Sequence, residues 1–129
     1  MNIPIQIKRG NKEQLPILSP GEFGLCLDTN ELFVGSSNGN LKLSINDYVI
    51  TTNTDNDYSA TTKLINNLYD GFKIDVKFNI DSTDNITLNL NEIGPKFVVN
   101  KDSSRVNDIK QNMIYTLCYE SSGDRFVMM

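Results

Sequence analysis

The sequence predicts an all-β protein, in which a short amino-terminal β-hairpin module is followed by a small antiparallel β-sandwich or open barrel. Apolar residues occupy every second position in 72–80 and again in 86–90, which is the pattern of strands with one buried face. Glycine, proline and asparagine separate the short apolar runs, as expected for tight turns between strands. A chain of 129 residues is long enough to bury a core.

The first 45 residues predict short strands joined by turns. The opening run 3–7 alternates, and its Pro4 suits only an edge strand or the start of a strand. The runs 23–27 and 32–34 predict two more strands. Asn38-Gly39 predicts a tight hairpin turn, because both central residues of a type I′ turn need positive φ. The apolar residues that define these strands are Ile3, Ile5, Ile7, Phe23, Leu25, Leu27, Leu32, Val34, Leu41, Leu43 and Ile45.

A polar segment is predicted to divide the chain. Residues 46–57 are mostly asparagine, aspartate and threonine, which bond to nearby backbone and favour turns, so this segment is predicted to be a hinge. The predicted domains are therefore the amino-terminal module 1–45, the hinge 46–57 and an antiparallel β-sandwich domain 58–129. Within the last, 58–69 predicts a short strand followed by one or two helical turns.

The clearest alternation lies in the carboxyl-terminal domain. Sliding the register of 72–80 by one residue would bury two lysines and an aspartate, so the direction of its side chains is strongly specified. With 86–90 it predicts an antiparallel hairpin that has one wet face. Further strands are predicted at 97–99, 113–119 and 126–129. The predicted inward side chains are Phe72, Ile74, Val76, Phe78, Ile80, Ile86, Leu88 and Leu90.

Composition argues against several classes of function. The chain has 12 basic and 16 acidic residues and a net charge of −4, which argues against nucleic acid as a partner. It has no run of about 18 apolar residues, so no membrane partner is expected, and its start lacks the pattern of a signal peptide. Cys26 and Cys118 lie in apolar, strand-like runs. Free thiols are the expectation for them, with a disulfide left open.

No catalytic, cofactor-binding or metal-binding residue is predicted. The chain has no histidine, which removes Ser-His-Asp and Cys-His catalysis and most zinc sites. The acidic pairs Asp81/Asp84 and Asp55/Asp57 lie among Asn, Ser and Thr, which favours surface turns over a glycosidase carboxylate pair. Residues 55–59 have Asp-x-Asp-x-Ser spacing but lack the rest of an EF-hand loop. The five tyrosines are expected to close the rim of the core rather than to form a sugar-stacking platform.

A group of short motifs marks the start of the chain. Arg9-Gly10 ends the first strand, and an L..GE.G...DT..L.VG pattern follows, with Gly21-Glu22, Gly24, Asp28-Thr29 and Val34-Gly35 in place. This pattern over 5–39 resembles the short amino-terminal module of phage tail-fibre and tropism-determinant proteins. The same module begins phage hyaluronidase-like tail proteins.

A second group of motifs lies in the carboxyl-terminal domain: Asp70-Gly71, Thr87-Leu88-Asn89, Gly94, Lys96, Tyr115, Tyr119 and Phe126. This group resembles a β module that recurs in phage tail fibres and baseplate-associated proteins. Two positions depart from it. Asn112 stands where glycine is usual, and Gly94-Pro95 stands where a small residue is common, so the departures concern the local shape of loops.

The resemblances imply a structural component of the tail of a phage or of a phage-tail-like bacteriocin: a tail, fibre or baseplate protein. It would be located in the virion tail after assembly in the host cytoplasm. Such amino-terminal attachment modules typically trimerise and dock on the tail, so the implied partners are a homotrimer and other tail or baseplate proteins. No enzymatic activity is expected. The alternatives are a carbohydrate-binding tip that contacts a host cell-surface glycan and, less favoured, an enzyme that degrades cell-wall polysaccharide.

Overall fold

The computed structural model describes residues 7–43 and 48–129. In these ranges it contains twelve β-strands and one 3-10 turn, which confirms the predicted all-β class. The chain divides into two compact units, Met1–Ile45 with Lys63–Asn66 and Asn46–Thr62 with Asn67–Met129. No helix within 7–43 or 48–129 is long and apolar enough to cross a membrane.

The first unit contains a four-stranded sheet in the order β1-β2-β3-β4. β1 pairs with β2 in parallel, and the other two pairings are antiparallel. Parallel neighbours need a crossover connection, and residues 11–22, which include a 3-10 turn, supply it. The strands are β1 Lys8–Gly10, β2 Phe23–Cys26, β3 Glu31–Ser36 and β4 Gly39–Lys42, and the 3-10 turn is Lys12–Gln14.

The second unit contains an eight-stranded mixed sheet. Its strands are β5 Tyr48–Ile50, β6 Thr52–Thr54, β7 Asp57–Ala60, β8 Lys73–Lys77, β9 Thr87–Leu90, β10 Lys96–Val99, β11 Ile114–Glu120 and β12 Arg125–Met128. Their order is β5-β8-β11-β12-β10-β9-β7-β6. Three pairings are parallel, namely β5–β8, β10–β12 and β7–β9. The prediction of an antiparallel sheet is therefore wrong for these three pairings.

The two edge strands of this sheet are consecutive in the chain. β5 and β6 stand at opposite ends of the strand order, yet only Thr51 separates them. Residues 48–54 therefore behave as one bent strand, which pairs with β8 before Thr51 and with β7 after it. The sheet curls into a nearly closed barrel, with its seam at Thr51.

The core of the second unit lies inside the barrel. All the predicted inward side chains are buried except Ile80, which lies beyond the end of β8 and is 46% exposed. The loop between β10 and β11, predicted only as polar, adds Val106 and Ile109 to the core. The buried residues are Tyr58, Ala60, Phe72, Ile74, Val76, Phe78, Ile86, Leu88, Leu90, Val98, Val99, Val106, Ile109, Leu117, Tyr119 and Phe126.

The pairing of strands differs from the sequence prediction in one major respect. The predicted hairpin of 72–80 with 86–90 is wrong, since β8 lies between β5 and β11 while β9 lies between β10 and β7. Alternation locates a strand but does not identify its neighbour, and parallel pairings bring strands together that are distant in sequence.

Several local predictions in the first half of the chain also need correction. The described part of 46–57, predicted as a hinge, contributes β5, β6 and the first residue of β7 to the barrel. Its threonines suit a pleated strand as well as a turn. Residues 61–69 form bends rather than the predicted helical turns. The predicted opening strand and the end of the first hairpin fall partly on Ile3, Ile5 and Ile45, which lie outside the described residues.

Candidate functional site

One face of the four-stranded sheet is covered by residues 15–19. Leu18, Cys26 and Phe33 are buried there, and Leu15 packs against them. Gly35 of β3 lies directly under this segment, because a Cβ at that position would overlap the carbonyl oxygens of Leu18 and Ser19. Glycine is therefore required by close approach of two backbone segments.

Hydrogen bonds hold the covering segment to the sheet. Asn40 of β4 accepts from the Leu18 N–H at Oδ1 (2.9 Å), and its Nδ2 donates to the Pro16 carbonyl (2.8 Å). The Gly35 N–H donates to the Glu22 carbonyl (2.8 Å), and the Gly35 carbonyl accepts from the Gly21 N–H (2.9 Å). The Asn40 side chain thus satisfies one donor and one acceptor of the covering segment, and the backbone of Gly35 bonds to Gly21 and Glu22 just after it.

A charged cluster closes the edge of the covered face. The Glu31 carboxylate lies 2.7 Å from Lys12 Nζ and 2.9 Å from Lys42 Nζ, and its side chain is 11% exposed. Hydrogen bonds from Lys12, then Lys42 and Thr29, lower the pKa of Glu31 from 4.5 to about 2. The carboxylate therefore stays charged at any pH well above 2, and its charge stabilises this edge.

The opposite face of the sheet has no buried residue. We call it the open face, formed by the apolar side chains of Phe23, Leu25, Leu32, Val34 and Leu41, which are all half-exposed or exposed. Phe23 pairs with Val34 and Leu25 with Leu32 across β2 and β3, and Val34 pairs with Leu41 across β3 and β4. Five apolar side chains thus form one contiguous surface across three strands.

The sequence placed these side chains correctly on shared faces but did not identify which face is covered. Phe23 and Leu25 do share a face, whereas Leu27 follows the end of β2 and is 54% exposed. The covered face consists of Gly24, Cys26, Glu31, Phe33 and Gly35, where small and charged residues weaken the apolar pattern. In β2 and β3 these residues alternate with Leu25 and Leu32, and this alternation was the sequence signal that could have indicated the covered face.

Three of the four aspartates in the acidic pairs bond to local structure in the second unit. Asp81 Oδ1 accepts from the Gln111 N–H (2.7 Å), and Asp84 Oδ1 accepts from the Asn85 N–H (2.7 Å). Asp57 Oδ1 accepts from the Thr87 hydroxyl (2.7 Å). Across the residues that the structure describes, no group of three or more acidic, cysteine or histidine side chains is arranged to hold a metal ion.

The two cysteines do not pair, and the tyrosines occupy different parts of the second unit. Cys26 and Cys118 are both free thiols. Tyr58 is buried and donates its hydroxyl to the Ile80 carbonyl (3.0 Å). Tyr48 and Tyr69 are exposed, each beside a different partner, Lys77 for Tyr48 and Phe72 for Tyr69. Tyr58 and Tyr115 each contact the buried Phe78, and Tyr119 contacts the buried Phe126.

The first unit matches a known domain. Residues 5–36 fit the family model described as the major tropism determinant N-terminal domain, about a quarter of the chain. This range ends with β3 and includes the covering segment and most of the open face. No curated protein matches the chain. The likeness of 68–99 and 113–128 to tail-fibre β modules stays a prediction. The first unit therefore contains a tropism-determinant-like amino-terminal module, as its motifs predicted.

Proposed function

We propose that this protein is a structural, non-catalytic component of a phage or phage-like tail, fibre or baseplate. Its amino-terminal module would assemble a homotrimer through the open face and dock on another tail protein. The observation that carries the proposal is the open face itself, within a domain matched to a tropism-determinant module.

The first unit is poorly equipped to be stable alone. Its described buried side chains are few: Leu18, Cys26 and Phe33 form one cluster with Leu15 packed against them, and Ile65 is also buried. A domain of this size buries a small fraction of its surface and usually needs further burial to be stable. Each half-exposed leucine or phenylalanine that becomes buried between copies would contribute about 1 kcal/mol.

The open face is better suited to a symmetric oligomer than to an isolated chain. The surface is an apolar patch on short strands, and identical copies around an axis can bury the same patch on every subunit. We propose no catalytic role, because the chain has no histidine and the carboxylates of Asp57 and Asp84 accept hydrogen bonds within a strand pair and a turn.

The test is the mass of the full chain in solution, measured by light scattering after size-exclusion chromatography. We expect three times the chain mass of 14.5 kDa. Phe23→Glu should give a monomer, because three carboxylates would meet in one apolar interface. Phe23 is 42% exposed, so the isolated chain should tolerate the change.

Ile80→Glu is the matched control, because Ile80 is 46% exposed in the second unit and lies outside the open face. It should leave the trimer intact. A wild-type chain that is monomeric at all concentrations, or a Phe23→Glu variant that keeps its oligomeric mass, would refute assembly through this face.

The place of the protein in the particle needs a separate experiment. Antibodies raised against the full chain should label the tail of assembled particles in electron micrographs. Labelling of the capsid alone, or particles that lack the chain, would reject the tail assignment even if the trimer forms.

A further inference from the structure

The barrel seam contains a cleft that the proposed function does not use. At Thr51 the bent strand 48–54 changes partner, so that Thr52 pairs with Ser59 of β7 whereas Ile50 pairs with Lys77 of β8. Beside this divergence lies a cleft of about 350 Å³, a volume within the usual range for ligand pockets. Its exposed or half-buried lining residues are Ile50, Thr52, Ser59, Thr61, Asn89 and Glu92.

Polar side chains form a row across the floor of the cleft. Thr52, Ser59 and Asn89 stand directly opposite one another on β6, β7 and β9. Neighbouring strands are about 4.8 Å apart, so the row presents polar groups at a spacing within reach of the hydroxyls around one sugar ring. Among the described residues, the Thr52 and Ser59 hydroxyls have no hydrogen-bond partner. Each can both donate and accept.

The remaining lining residues complete a mixed surface. Asn89 Oδ1 accepts from the Gly94 N–H (3.0 Å), which fixes the amide and leaves its NH₂ group as a donor. Glu92 supplies acceptor oxygens, and Ile50, which is 62% exposed, supplies an apolar surface. No cationic side chain belongs to the described lining of the cleft.

From this geometry we propose that the seam cleft binds a neutral saccharide. A sugar offers many hydroxyls that both donate and accept, which matches the unpartnered hydroxyls and the amide. Its C–H surface can pack on Ile50. The Glu92 carboxylate can accept from sugar hydroxyls but repels a carboxylate or phosphate, so acidic sugars are disfavoured. The proposal stands independently of the trimer and of the tail assignment, since the cleft lies within the second unit.

The test is a titration of the isotope-labelled full chain, followed by amide chemical shifts. Glucose, galactose, mannose and N-acetylglucosamine are added separately, with glucuronic acid as the acidic counterpart of glucose. We expect at least one neutral sugar to give saturable shifts at the amides of 50–61 and 89–92. Glucuronic acid should bind about tenfold more weakly than glucose or not at all.

Ser59→Leu is designed to fill the cleft, because Ser59 is exposed at the centre of the polar row. It should weaken sugar binding about tenfold or more. The matched control is Thr54→Leu, which adds the same apolar group on β6 outside the cleft and should leave binding unchanged. Glu92→Gln should reduce the discrimination against glucuronic acid.

Three results would overturn the proposal. The first is the absence of saturable shifts with all four neutral sugars. The second is a set of shifts that lies elsewhere or persists in Ser59→Leu. The third is saturable binding of an extended peptide at the same amides with no response to sugars, which would assign the cleft to a protein partner.

Discussion

Glu31 links the stability of the first unit to pH. Its pKa in the folded protein is about 2, against an ordinary value of 4.5, because Lys12 and then Lys42 hydrogen-bond to its carboxylate. A depressed folded pKa gives stability that is fully present above pH 4.5 and is lost as pH falls towards 2. Lys12 is 52% exposed, so solvent screens part of this effect, and we expect a loss of about 1–2 kcal/mol across this window, measured as amide-exchange protection in β2 and β3.

Two glutamate variants separate this effect from general acid destabilisation. Glu31→Gln should lower protection at neutral pH and flatten its dependence on pH, because the neutral amide cannot balance Lys42, which is 11% exposed. Glu22→Gln removes a more exposed partner of Lys8 and should leave the pH dependence in place. Equal pH profiles for wild type and Glu31→Gln would contradict the assignment.

The backbone conformation of Asn112 explains why asparagine can replace the glycine that is usual at this position of the tail-fibre pattern. It has φ of +64°, in the left-handed region that glycine adopts most easily and asparagine tolerates. Asn112→Gly should therefore be close to neutral, whereas Asn112→Ala should destabilise the second unit by about 1 kcal/mol. Urea unfolding followed by circular dichroism measures both changes, and equal midpoints for the two variants would contradict the backbone explanation.

At the scale of elements, a polar network fixes the bend between β5 and β6. Thr51 is 2% exposed, and its hydroxyl donates to Asn79 Oδ1 (2.7 Å) and accepts from the Asn79 N–H (3.0 Å). Asn79 Nδ2 then donates to Asn53 Oδ1 (2.8 Å). One hydroxyl therefore joins the bent strand to the end of β8, where the barrel closes.

Removing that hydroxyl tests the closure of the barrel. Thr51→Val keeps the shape but leaves the Asn79 N–H unsatisfied, so the second unit should lose about 1–3 kcal/mol in urea unfolding. Thr116→Val is the control, because its hydroxyl donates to Asp75 (2.6 Å) at an exposed position and its loss should cost much less. Similar losses in both variants would show that the seam is not specially dependent on Thr51.

The sequence predicted the strands better than it predicted their arrangement. β8 and β9 were found because strict alternation of large apolar residues requires a strand with one buried face. The parallel pairings were not found, since they depend on contacts between residues distant in the chain. The bent strand was missed because Thr52 and Asn53 belong to a composition that equally favours turns.

The candidate site shows the same limit. The motifs around Gly24 and Gly35 located the module, but they gave no reason to expect residues 15–19 on that face. Small residues indicate that another segment packs closely against the strand, but they do not identify that segment. The seam cleft could not be predicted either, because Thr52, Ser59 and Asn89 come together only through two strand pairings, one antiparallel and one parallel.

At the scale of the whole molecule, the two units have cores of very different size. Among its described residues the first buries the cluster of Leu18, Cys26 and Phe33 together with Ile65, whereas the second fills a barrel with large side chains such as Phe78, Leu117 and Phe126. Regions with few buried apolar contacts open at lower free energy than regions with many. We therefore expect amides of β2 and β3 to exchange faster than those of β8 and β11.

The same measurement connects stability to assembly. If copies cover the open face, protection of β2 and β3 should rise with protein concentration, because association stabilises only the unit whose surface it buries. Protection of β8 and β11 should not change. In Phe23→Glu the concentration dependence should disappear, and in Ile80→Glu it should persist. Hydrogen-exchange mass spectrometry at two concentrations provides the comparison. Protection that rises equally in both units, or in neither, would separate the open face from the assembly of the protein.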